Sequence, residues 1–385
     1  MRYHHIRLQS WKNFKTVDAP LARRVFLVGA NASGKSNLLD VFRFFRDLAS
    51  ERGGLKYAVD ERRGGIQAIR SLHATRNPVV GMEVEVEGQE GRHWFYSLRL
   101  QESKQKKRGT GAVEVAHEEV RLDGKTLVQR PETQDRRDPY RLTQTSLEQV
   151  QANHAFRELV QFMASARYMH LVPQLLRGAK GYPPQLDDPF GSDFLRQVAS
   201  VTERERNRRL GMIQKGLTAA LPHFETLAFE RDASTGAPHL KVRVKHWRSK
   251  GSFQREDQFS DGTLRFIGLL WFLSQRKGGP LILEEPELSL HTAVIASLPG
   301  MMQQISAKSG RQVLLSTHAE LLLADPGIDP SEVLLLDVSA GSDTRVVPGH
   351  CFPEICALAE AGASFAEVLQ AKTKPRDVNG LRDLG

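Results

Sequence analysis

The sequence predicts an α/β protein in which a mixed sheet flanked by helices is joined by an antiparallel β meander and an inserted α+β lobe. Three observations predict this class. An apolar strand over 25–28 leads into a glycine-rich turn and an amphipathic helix. Apolar and polar residues alternate over 80–100, as in half-buried antiparallel strands. Strands and helices alternate over 259–318, as in a parallel sheet.

Composition narrows the class of protein. The 385 residues are enough for more than one domain, and the hydrophobic fraction of 40% is that of a globular chain. No run of about 18 apolar residues and no apolar secretory signal is present, so we expect no membrane partner. Cys351 and Cys356 favour free thiols in a cytoplasmic protein. The net charge of +9 suits a polyanionic partner, although a basic surface often serves only solubility.

Residues 29–37 have the spacing of a phosphate-binding loop, in which a glycine is followed by Gly34, Lys35 and Ser36. Gly29 and Gly34 allow backbone conformations that are closed to other residues. The loop amides and the N-terminus of the next helix would face phosphate oxygens. Lys35 can reach the β- and γ-phosphates, and the Ser36 hydroxyl can bind Mg²⁺. The helical spacing of the following apolar residues favours this loop over a chance glycine-rich turn.

The segments around this loop are predicted to be mainly β-structure. A strand over 2–11 is followed by a short polar link, the loop strand and a helix that ends near Ala49. The glycine- and arginine-rich segment from there to about Arg76 is predicted to be a loop. The expected strands of the meander cover 80–86, 94–100 and a segment that begins at Val113.

The middle of the chain is predicted to form a separate lobe. Residues 129–139 read as a solvated loop, and a helix is expected from about Ser146 to Ala164. Thr202 and Glu205 form a capping-box pair that opens a second helix. The predicted domains are a head from residues 1–100 and 255–345, an inserted lobe over 101–254 and a short helical tail over 346–385.

Three basic runs fall within this predicted lobe. Each run alone is typical of a solvated face, but together they make double-stranded DNA a candidate partner, bound through its phosphates without sequence preference. The first run is Lys104, Lys106, Lys107 and Arg108; the second is Arg204, Arg206, Arg208 and Arg209; the third is Lys241, Arg243, Lys245, Arg248 and Lys250.

A second group of chemically suggestive residues follows a buried strand over 281–283, which ends in Glu284 and Glu285. The first carboxylate can belong to the Mg²⁺ shell, and the second can orient or deprotonate an attacking water. Because neighbouring residues of a strand point to opposite sides, both roles require a backbone turn, which Pro286 supports. An acidic helix cap is the alternative interpretation, and Glu287 is assigned to a cap.

Two further polar groups come after helix or strand signals. His318 ends the next buried strand, where it can sense a γ-phosphate or be an ordinary core or capping residue. Ser260, Asp261 and Gly262 precede an apolar helix and offer a hydroxyl, a tight turn and a helix N-terminus to an anion. A simple N-cap is the alternative for this turn.

The order of phosphate loop, Ser-Asp-Gly turn, acidic strand and strand-end histidine resembles that of ABC-type ATPases. Asn13-Phe14-Lys15 and the loop sequence over 29–37 are similar to those of the RecF/SMC/OLD branch, which handles DNA rather than membranes. The segments 259–265 and 284–291 resemble stand-alone bacterial AAA/ABC-like ATPases. These motifs lie at both ends of the chain, and residues 101–258 match only loosely.

The resemblance implies a P-loop ABC-type ATPase head that binds ATP and Mg²⁺ and hydrolyses ATP. Glu285 would be the catalytic base, acting with Lys35, and His318 the switch; Ser36 and Glu284 would hold the metal. The residues implied in nucleotide binding are Gly29, Asn31, Ser33, Gly34, Lys35, Ser36 and Asn37 from one subunit and Ser260, Asp261 and Gly262 from the opposing one. ATP would thus close a homodimer, and hydrolysis would open it.

Two positions depart from the pattern of the family. Glu284 stands where most relatives have Asp, and Asp261 stands where many have Gly. No glutamine is assigned to Mg²⁺ sensing, and Gln67 is a candidate.

The first functional hypothesis is a DNA-associated ATPase sensor or clamp that works with a separately encoded effector in anti-phage defence or DNA repair. The alternative is a scaffold whose ATP-driven dimerisation holds or releases a protein partner, a nuclease or toxin, without touching DNA. The ATPase subunit of a transporter is disfavoured, because the insertion is long and membrane-facing features are missing.

Overall fold

The computed structural model of the chain describes residues 1–71, 79–103, 113–178, 188–245, 252–276, 278–338 and 343–373. The strands are β1 (Arg2–Trp11), β2 (Phe14–Pro20), β3 (Arg24–Gly29), β4 (Val80–Glu87), β5 (His93–Glu102), β6 (Val113–Leu122), β7 (Lys125–Arg130), β8 (Arg167–Met169), β9 (Phe224–Arg231), β10 (Pro238–Val244), β11 (Ser252–Arg255), β12 (Leu281–Glu284), β13 (Val313–Thr317), β14 (Val333–Asp337) and β15 (Arg345–Pro348). The helices are α1 (Lys35–Ala49), α2 (Ile66–Ile69), α3 (Thr133–Arg137), α4 (Arg157–Ala164), α5 (Pro173–Leu176), α6 (Phe194–Ser200), α7 (Glu203–Ala220), α8 (Asp261–Leu273), α9 (Thr292–Ser309), α10 (Glu320–Leu323), α11 (Pro353–Glu360) and α12 (Ala366–Thr373).

A six-stranded central sheet positions the candidate site. Its order is β15-β14-β3-β13-β12-β8, and all neighbours except β14 and β15 pair in parallel. Every residue of β3 and β13 is buried, as expected for strands that are covered on both faces. The carboxyl ends of β3, β13 and β12 therefore lie side by side at one edge, where ligands bind in such sheets.

The predicted meander is confirmed as a second, antiparallel sheet of order β2-β1-β4-β5-β6-β7. Helix α1 packs between this sheet and the central sheet, and the side chains of all three form one core. The ring of Phe42 lies 4.9 Å from that of Tyr3, and the ring of Phe45 lies 5.9 Å from that of Tyr96. The helix that carries the phosphate loop is thus fixed by apolar contacts on both sides.

The predicted inserted lobe over 101–254 contains strands that belong to the two large sheets. Strands β6 and β7 complete the antiparallel sheet, and β8 is the edge strand of the central sheet next to β12. The part that stands apart is the three-stranded sheet β11-β10-β9, against which α7 packs. Its apolar residues join a second core with α8 on the other face of the central sheet. The domain boundaries themselves stay a prediction.

Two predictions of local structure were wrong, and one further strand had no prediction. The polar link before the loop strand is β2, which pairs antiparallel with β1 and buries Phe14 and Val17. Strand β7 was also not anticipated. The helix expected from Ser146 begins only at Arg157, because the backbone N–H of Ser146 donates to the buried carboxylate of Glu118 (2.8 Å) instead of entering a helix.

Two segments predicted to be loops, of which the second was predicted to be solvated, contain buried ion pairs. Arg63 lies in the first segment, and its guanidinium donates to Asp40 (2.8 Å) and to Asp47 (3.0 Å) on α1. In the second segment, Arg130 pairs with Asp135 (3.0 Å). Polar composition predicted exposure here, but the charges neutralise one another and become buried together.

The helices in the described part of the chain were compared with the length and apolarity that a bilayer requires. No helix in that part is both long enough and apolar enough to cross a membrane.

Candidate functional site

The phosphate loop connects β3 to α1, as the sequence predicts. Ala32 and Gly34 have φ angles of +61° and +98°, and α1 begins at Lys35. The ammonium group of Lys35 donates to the carbonyl oxygens of Gly29 (2.8 Å) and Ala30 (3.0 Å). Burial lowers the pKa of Lys35, whereas the nearby carboxylates of the acidic strand raise it. The lysine is therefore a desolvated cation that is held by its own loop.

The two loop glycines are required for different reasons. Gly34 has the left-handed φ that the sequence analysis expected, but Gly29 does not. A Cβ atom at Gly29 would lie 2.5 Å from the Ser33 Oγ and 2.9 Å from the carbonyl oxygen of Leu336. Close packing against β14, and not an unusual φ, thus demands glycine at this position.

Asn13 fixes the shape of the loop from the β1–β2 hairpin. Its amide nitrogen donates to the carbonyl oxygen of Ser33 (3.1 Å) and to Thr344 Oγ1 (2.9 Å). Its amide oxygen accepts from the side chain of Asn37 (2.7 Å). A Cβ at Gly34 would lie 2.2 Å from the Asn13 amide nitrogen. The sequence analysis quoted Asn13 only as part of a resemblance, and its contacts show that it supports the loop.

The remaining loop residues have distinct environments. Asn31 is exposed in the turn, and Ser33 is fully buried with its hydroxyl lacking a hydrogen-bond partner among the described residues. Asn37, predicted to bind the nucleotide, uses its side chain to hold Asn13. The candidate Mg²⁺-sensing residue Gln67 is exposed and donates to Glu102 (2.9 Å).

The first acidic residue meets the phosphate loop directly. The Ser36 hydroxyl donates a short hydrogen bond to one carboxylate oxygen of Glu284, and the Tyr168 hydroxyl donates another to the second oxygen. Tyr168 comes from β8, the strand beside β12, and burial followed by the charge of Glu284 raises its pKa. Composition offered no signal for Tyr168, because only sheet pairing brings it to Glu284.

Glu285 and His318 lie together at the ends of adjacent strands. The Glu285 carboxylate is 3.2 Å from Nδ1 of His318. Glu285 has a φ of +43°, and its backbone N–H donates to the carbonyl oxygen of Ser316 (3.1 Å). The backbone therefore turns where the sequence analysis required it to, so that Glu284 and Glu285 serve different neighbours.

Glu287 is not the helix cap that the sequence analysis assigned. Its side chain is 96% buried, with a relative exposure of only 4%. One carboxylate oxygen accepts from Thr317 Oγ1 (2.6 Å) and from the backbone N–H of His318 (3.4 Å). Burial raises the pKa of Glu287. Its position links the turn after β12 to the end of β13, where the histidine stands.

The Ser-Asp-Gly turn caps α8. Ser260 is exposed, and its hydroxyl accepts from the backbone N–H of Thr263 (3.2 Å). Asp261 accepts from Arg177 (2.6 Å), and a Cβ at Gly262 would lie 2.2 Å from the carbonyl oxygen of Ser289. Among the described residues, none of these partners belongs to the phosphate loop. The N-cap interpretation is therefore correct for Ser260 within one chain.

Most of the described basic residues of the predicted lobe are already engaged. Arg208 and Arg209 donate to Glu205 (2.7 and 3.0 Å), and Arg206 stacks on Phe229 (4.2 Å). Lys241 pairs with Glu230 (3.0 Å) and Arg243 with Glu225 (3.0 Å). Lys104, Lys106, Lys107, Arg108, Arg248 and Lys250 lie outside the described residues. Arg208 and Arg209 of the helix run and Lys241 and Arg243 of the strand run are thus paired with carboxylates and are not free cations.

Oxygen donors at the loop suit Mg²⁺. The Ser36 hydroxyl and the Glu284 carboxylate are hard ligands, and Mg²⁺ is usually held by one or two protein oxygens together with phosphates and water. The described part of the chain has no cluster of three or more histidine, cysteine or acidic side chains that could hold a metal alone. The residues present therefore fit Mg²⁺ that arrives with a nucleotide.

The sequence that forms this site matches a known protein family. The profile of the family described as "AAA domain, putative AbiEii toxin, Type IV TA system" matches residues 24–324, which include every site element above from the loop to His318. No curated protein matches the sequence significantly.

Two SMC head structures are similar to this chain, and the first of them supports the fold. One is an SMC head bound to the C-winged helix domain of ScpA, with a TM-score of 0.53 and 13% identity; the match covers 90% of this chain and 98% of that one. Another is the SMC head domain from Thermotoga maritima, with a TM-score of 0.47, 14% identity and coverage of 90% and 99%. The mixed α/β architecture predicted from the sequence is that of an SMC-like head.

Proposed function

Since this chain belongs to the AAA domain family that its residues 24–324 match, and has an SMC-like head fold, we propose that it binds and hydrolyses ATP with Mg²⁺. One observation carries the proposal. The Ser36 hydroxyl meets Glu284 at the end of one strand, while Glu285 faces His318 at the next. The donor set for a metal–triphosphate and a base for water therefore lie at one edge of the sheet.

Lys35 and the loop amides are proposed to bind the phosphates. The Lys35 ammonium group now donates to two loop carbonyls, so a triphosphate would replace those acceptors with charged oxygens. Bound Mg²⁺ would neutralise charge on the phosphates, and Ser36 and Glu284 would hold it. Tyr168 orients Glu284 through its hydroxyl.

Glu285 is proposed to accept a proton from the attacking water. The water oxygen would bond to the γ-phosphorus while the bond to the β–γ bridging oxygen breaks, which leaves ADP and orthophosphate. His318 holds the Glu285 carboxylate from the side, and Glu287 holds the backbone of His318. His318 would in this way report the state of the γ-phosphate to β13.

A second copy of the chain is proposed to complete the site. Ser260 is exposed at the N-terminus of the 13-residue helix α8, where backbone N–H groups favour an anion. Its recorded partners lie outside the phosphate loop of its own chain, so its Ser-Asp-Gly turn is available to the triphosphate of an opposing subunit. ATP would then close a head-to-tail homodimer.

The test is nucleotide binding and turnover by the purified chain. Lys35→Ala should lose ATP binding, whereas Lys56→Ala, a change at an exposed lysine outside the loop, should bind and hydrolyse ATP normally. Light scattering should show a dimer with ATP in the wild type and a monomer in Lys35→Ala. Undiminished ATP binding by Lys35→Ala would refute the assignment of the loop.

A protein-holding scaffold is the second candidate, and the carboxylate pairs of Arg208, Arg209, Lys241 and Arg243 favour it over a DNA clamp. DNA phosphates would have to displace Glu205, Glu225 and Glu230 from their arginine and lysine partners. Gel shifts with generic duplex DNA at rising salt separate the two. Salt-sensitive binding that Arg204→Glu weakens would restore the clamp, and no binding with or without ATP would support the scaffold.

A role in bacterial defence with a separately encoded effector is the broadest part of the proposal. The description of the family names a toxin and a type IV TA system, which supports this setting without identifying the partner. Pull-down of the product of the neighbouring gene, with and without ATP, tests it. ATP-dependent capture of that product would support an effector partner, and equal recovery from a Lys35→Ala bait would contradict it.

A further inference from the structure

A basic pocket lies beside the phosphate loop, at Ser36 and the first turns of α1. It has a volume of about 290 Å³, far above the roughly 15 Å³ that one water needs. The residues that line it include Ser36 and Tyr168, which both hydrogen-bond Glu284, and the arginines Arg43 and Arg62. Lys35, Glu285 and His318 are not among its lining residues.

The charges in this pocket do not cancel. Asp40 is its one acidic residue, and Lys12 (2.7 Å) and Arg63 (2.8 Å) already pair with that carboxylate. Arg43 and Arg62 have no hydrogen bond or ion pair to a described carboxylate. Two arginines therefore line the cavity without a hydrogen-bonded anionic partner among the described residues.

Arg43 is a partly buried arginine with an unsatisfied hydrogen-bond donor. Its guanidinium lies 5.3 Å from the centre of the Tyr168 ring, and its Nε is buried without a hydrogen-bond partner. Burial, followed by the positive charge of Arg62, lowers the pKa of Arg43, and the charges of Asp40 and Asp47 offset only part of this effect. Such an arrangement has an energetic cost that a bound oxyanion would remove, because arginine pairs with phosphate through two parallel hydrogen bonds.

We propose that this pocket binds orthophosphate through Arg43 and Arg62, next to the Ser36 hydroxyl. The idea that this orthophosphate is the departing product of ATP hydrolysis rests on the proposed function. The existence of an oxyanion site in the pocket does not depend on that function. The pocket adjoins the Ser36–Glu284 contact, where the γ-phosphate is expected, and Tyr168 but not Lys35 lines it. Phosphate would therefore leave on the Tyr168 side of the loop while ADP stays bound.

The test is equilibrium dialysis of radiolabelled orthophosphate against the full chain. The protein is saturated with Mg²⁺ and the β,γ-imido analogue of ATP, so that the phosphate loop and the γ-phosphate position are filled. We expect about one phosphate to bind per chain. Binding that is lost when the analogue is present would overturn the proposal, because the phosphate would then belong to the nucleotide site.

Matched variants locate the bound ion. Arg62→Met, a change at an exposed residue, should weaken phosphate binding about tenfold or more, because it removes a charge-assisted pair. Arg137→Met on α3, also at an exposed residue and outside the pocket, should leave phosphate binding unchanged. Asp40→Asn should tighten phosphate binding, because it removes the one carboxylate that lines the pocket. An Arg62→Met protein that binds phosphate like the wild type would refute the site.

Turnover separates this inference from the proposed function. If phosphate binds as described but the chain does not hydrolyse ATP, the assignment as a product is refuted. If ATP is hydrolysed, added phosphate should inhibit wild type and Arg137→Met alike, and Arg62→Met about tenfold more weakly. Equal inhibition of all three proteins would overturn the route through this pocket.

Discussion

The carboxylate of Glu285 lies 3.2 Å from Nδ1 of His318, at the ends of the adjacent parallel strands β12 and β13. This contact depends on the left-handed backbone of Glu285, whose φ is +43°. A non-glycine residue in that region costs of order 1–3 kcal/mol, which the hydrogen bond from its N–H to Ser316 helps to offset. The chain thus retains local strain at the point where two carboxylates must face different ways.

Glu285→Gln tests the proposed base. The amide keeps the size of the side chain but cannot accept the proton of water, so ATP turnover should fall by about 10²–10⁴-fold while ATP affinity is retained. Stopped turnover with retained binding should also accumulate the ATP-bound dimer in light scattering. Glu320→Gln, at an exposed position on α10, is the matched control. Normal turnover by Glu285→Gln would remove Glu285 from this role.

Tyr168→Phe tests whether the hydroxyl of Tyr168 orients Glu284, the proposed Mg²⁺ ligand. The change removes only the hydroxyl that donates to Glu284, so the Mg²⁺ concentration for half-maximal ATPase activity should rise about 10-fold or more. ATP turnover at saturating Mg²⁺ should change much less. Tyr140→Phe, at a residue that is 64% exposed, should have a wild-type Mg²⁺ profile. The role of Tyr168 is contradicted if the two profiles coincide.

Gly34→Ala tests how tightly Asn13 holds the loop. The φ of +98° penalises any side chain by about 1–2 kcal/mol, and the new Cβ would also meet the Asn13 amide at 2.2 Å. Gly64→Ala is the matched control, because Gly64 has a φ of +77° and nothing within 4 Å of a Cβ. Urea unfolding should show a larger loss for Gly34→Ala. Equal losses would mean that the Asn13 contact yields easily.

Asp40→Asn tests the charge network beneath the loop helix. Burial alone would raise the pKa of Asp40, but the charges and hydrogen bonds of Arg63 and Lys12 lower it to about 2. An unfolded aspartate has a pKa of about 3.9, so the ionised group stabilises the fold fully above that pH. Near neutral pH, Asp40→Asn should lower the free energy of unfolding by about 3 kcal/mol.

The stability difference between wild type and Asp40→Asn should depend on pH. The stabilisation should be lost as pH falls from about 4 to about 2, so wild type and Asp40→Asn should converge in urea unfolding over that range. Asp257→Asn, at an exposed position, should match the wild type throughout. A difference between wild type and Asp40→Asn that stays constant with pH would contradict a charge-based role.

Side-chain contacts, some between distant strands and some within one helix, decided what the sequence pattern left open in the candidate site. Glu287 was assigned to a cap because acids are common before helices, but the end of β13 buries it against Thr317. Arg208 and Arg209 looked like a phosphate-binding face, but both donate to Glu205. A run of basic residues shows only the composition of one helix or strand. Whether those residues can bind phosphate depends on which carboxylates lie near them.

The sequence by itself determined the phosphate loop, the turn after the acidic strand and the Ser260 cap of α8. Each of these depends on residues within a few positions of one another, since glycine φ angles, helix caps and strand ends are local properties. Only the tertiary structure brought Asn13 to Gly34 and Tyr168 to Glu284, because these pairs meet through the packing and pairing of distant strands. No spacing rule along the chain encodes which side chains two neighbouring strands place face to face.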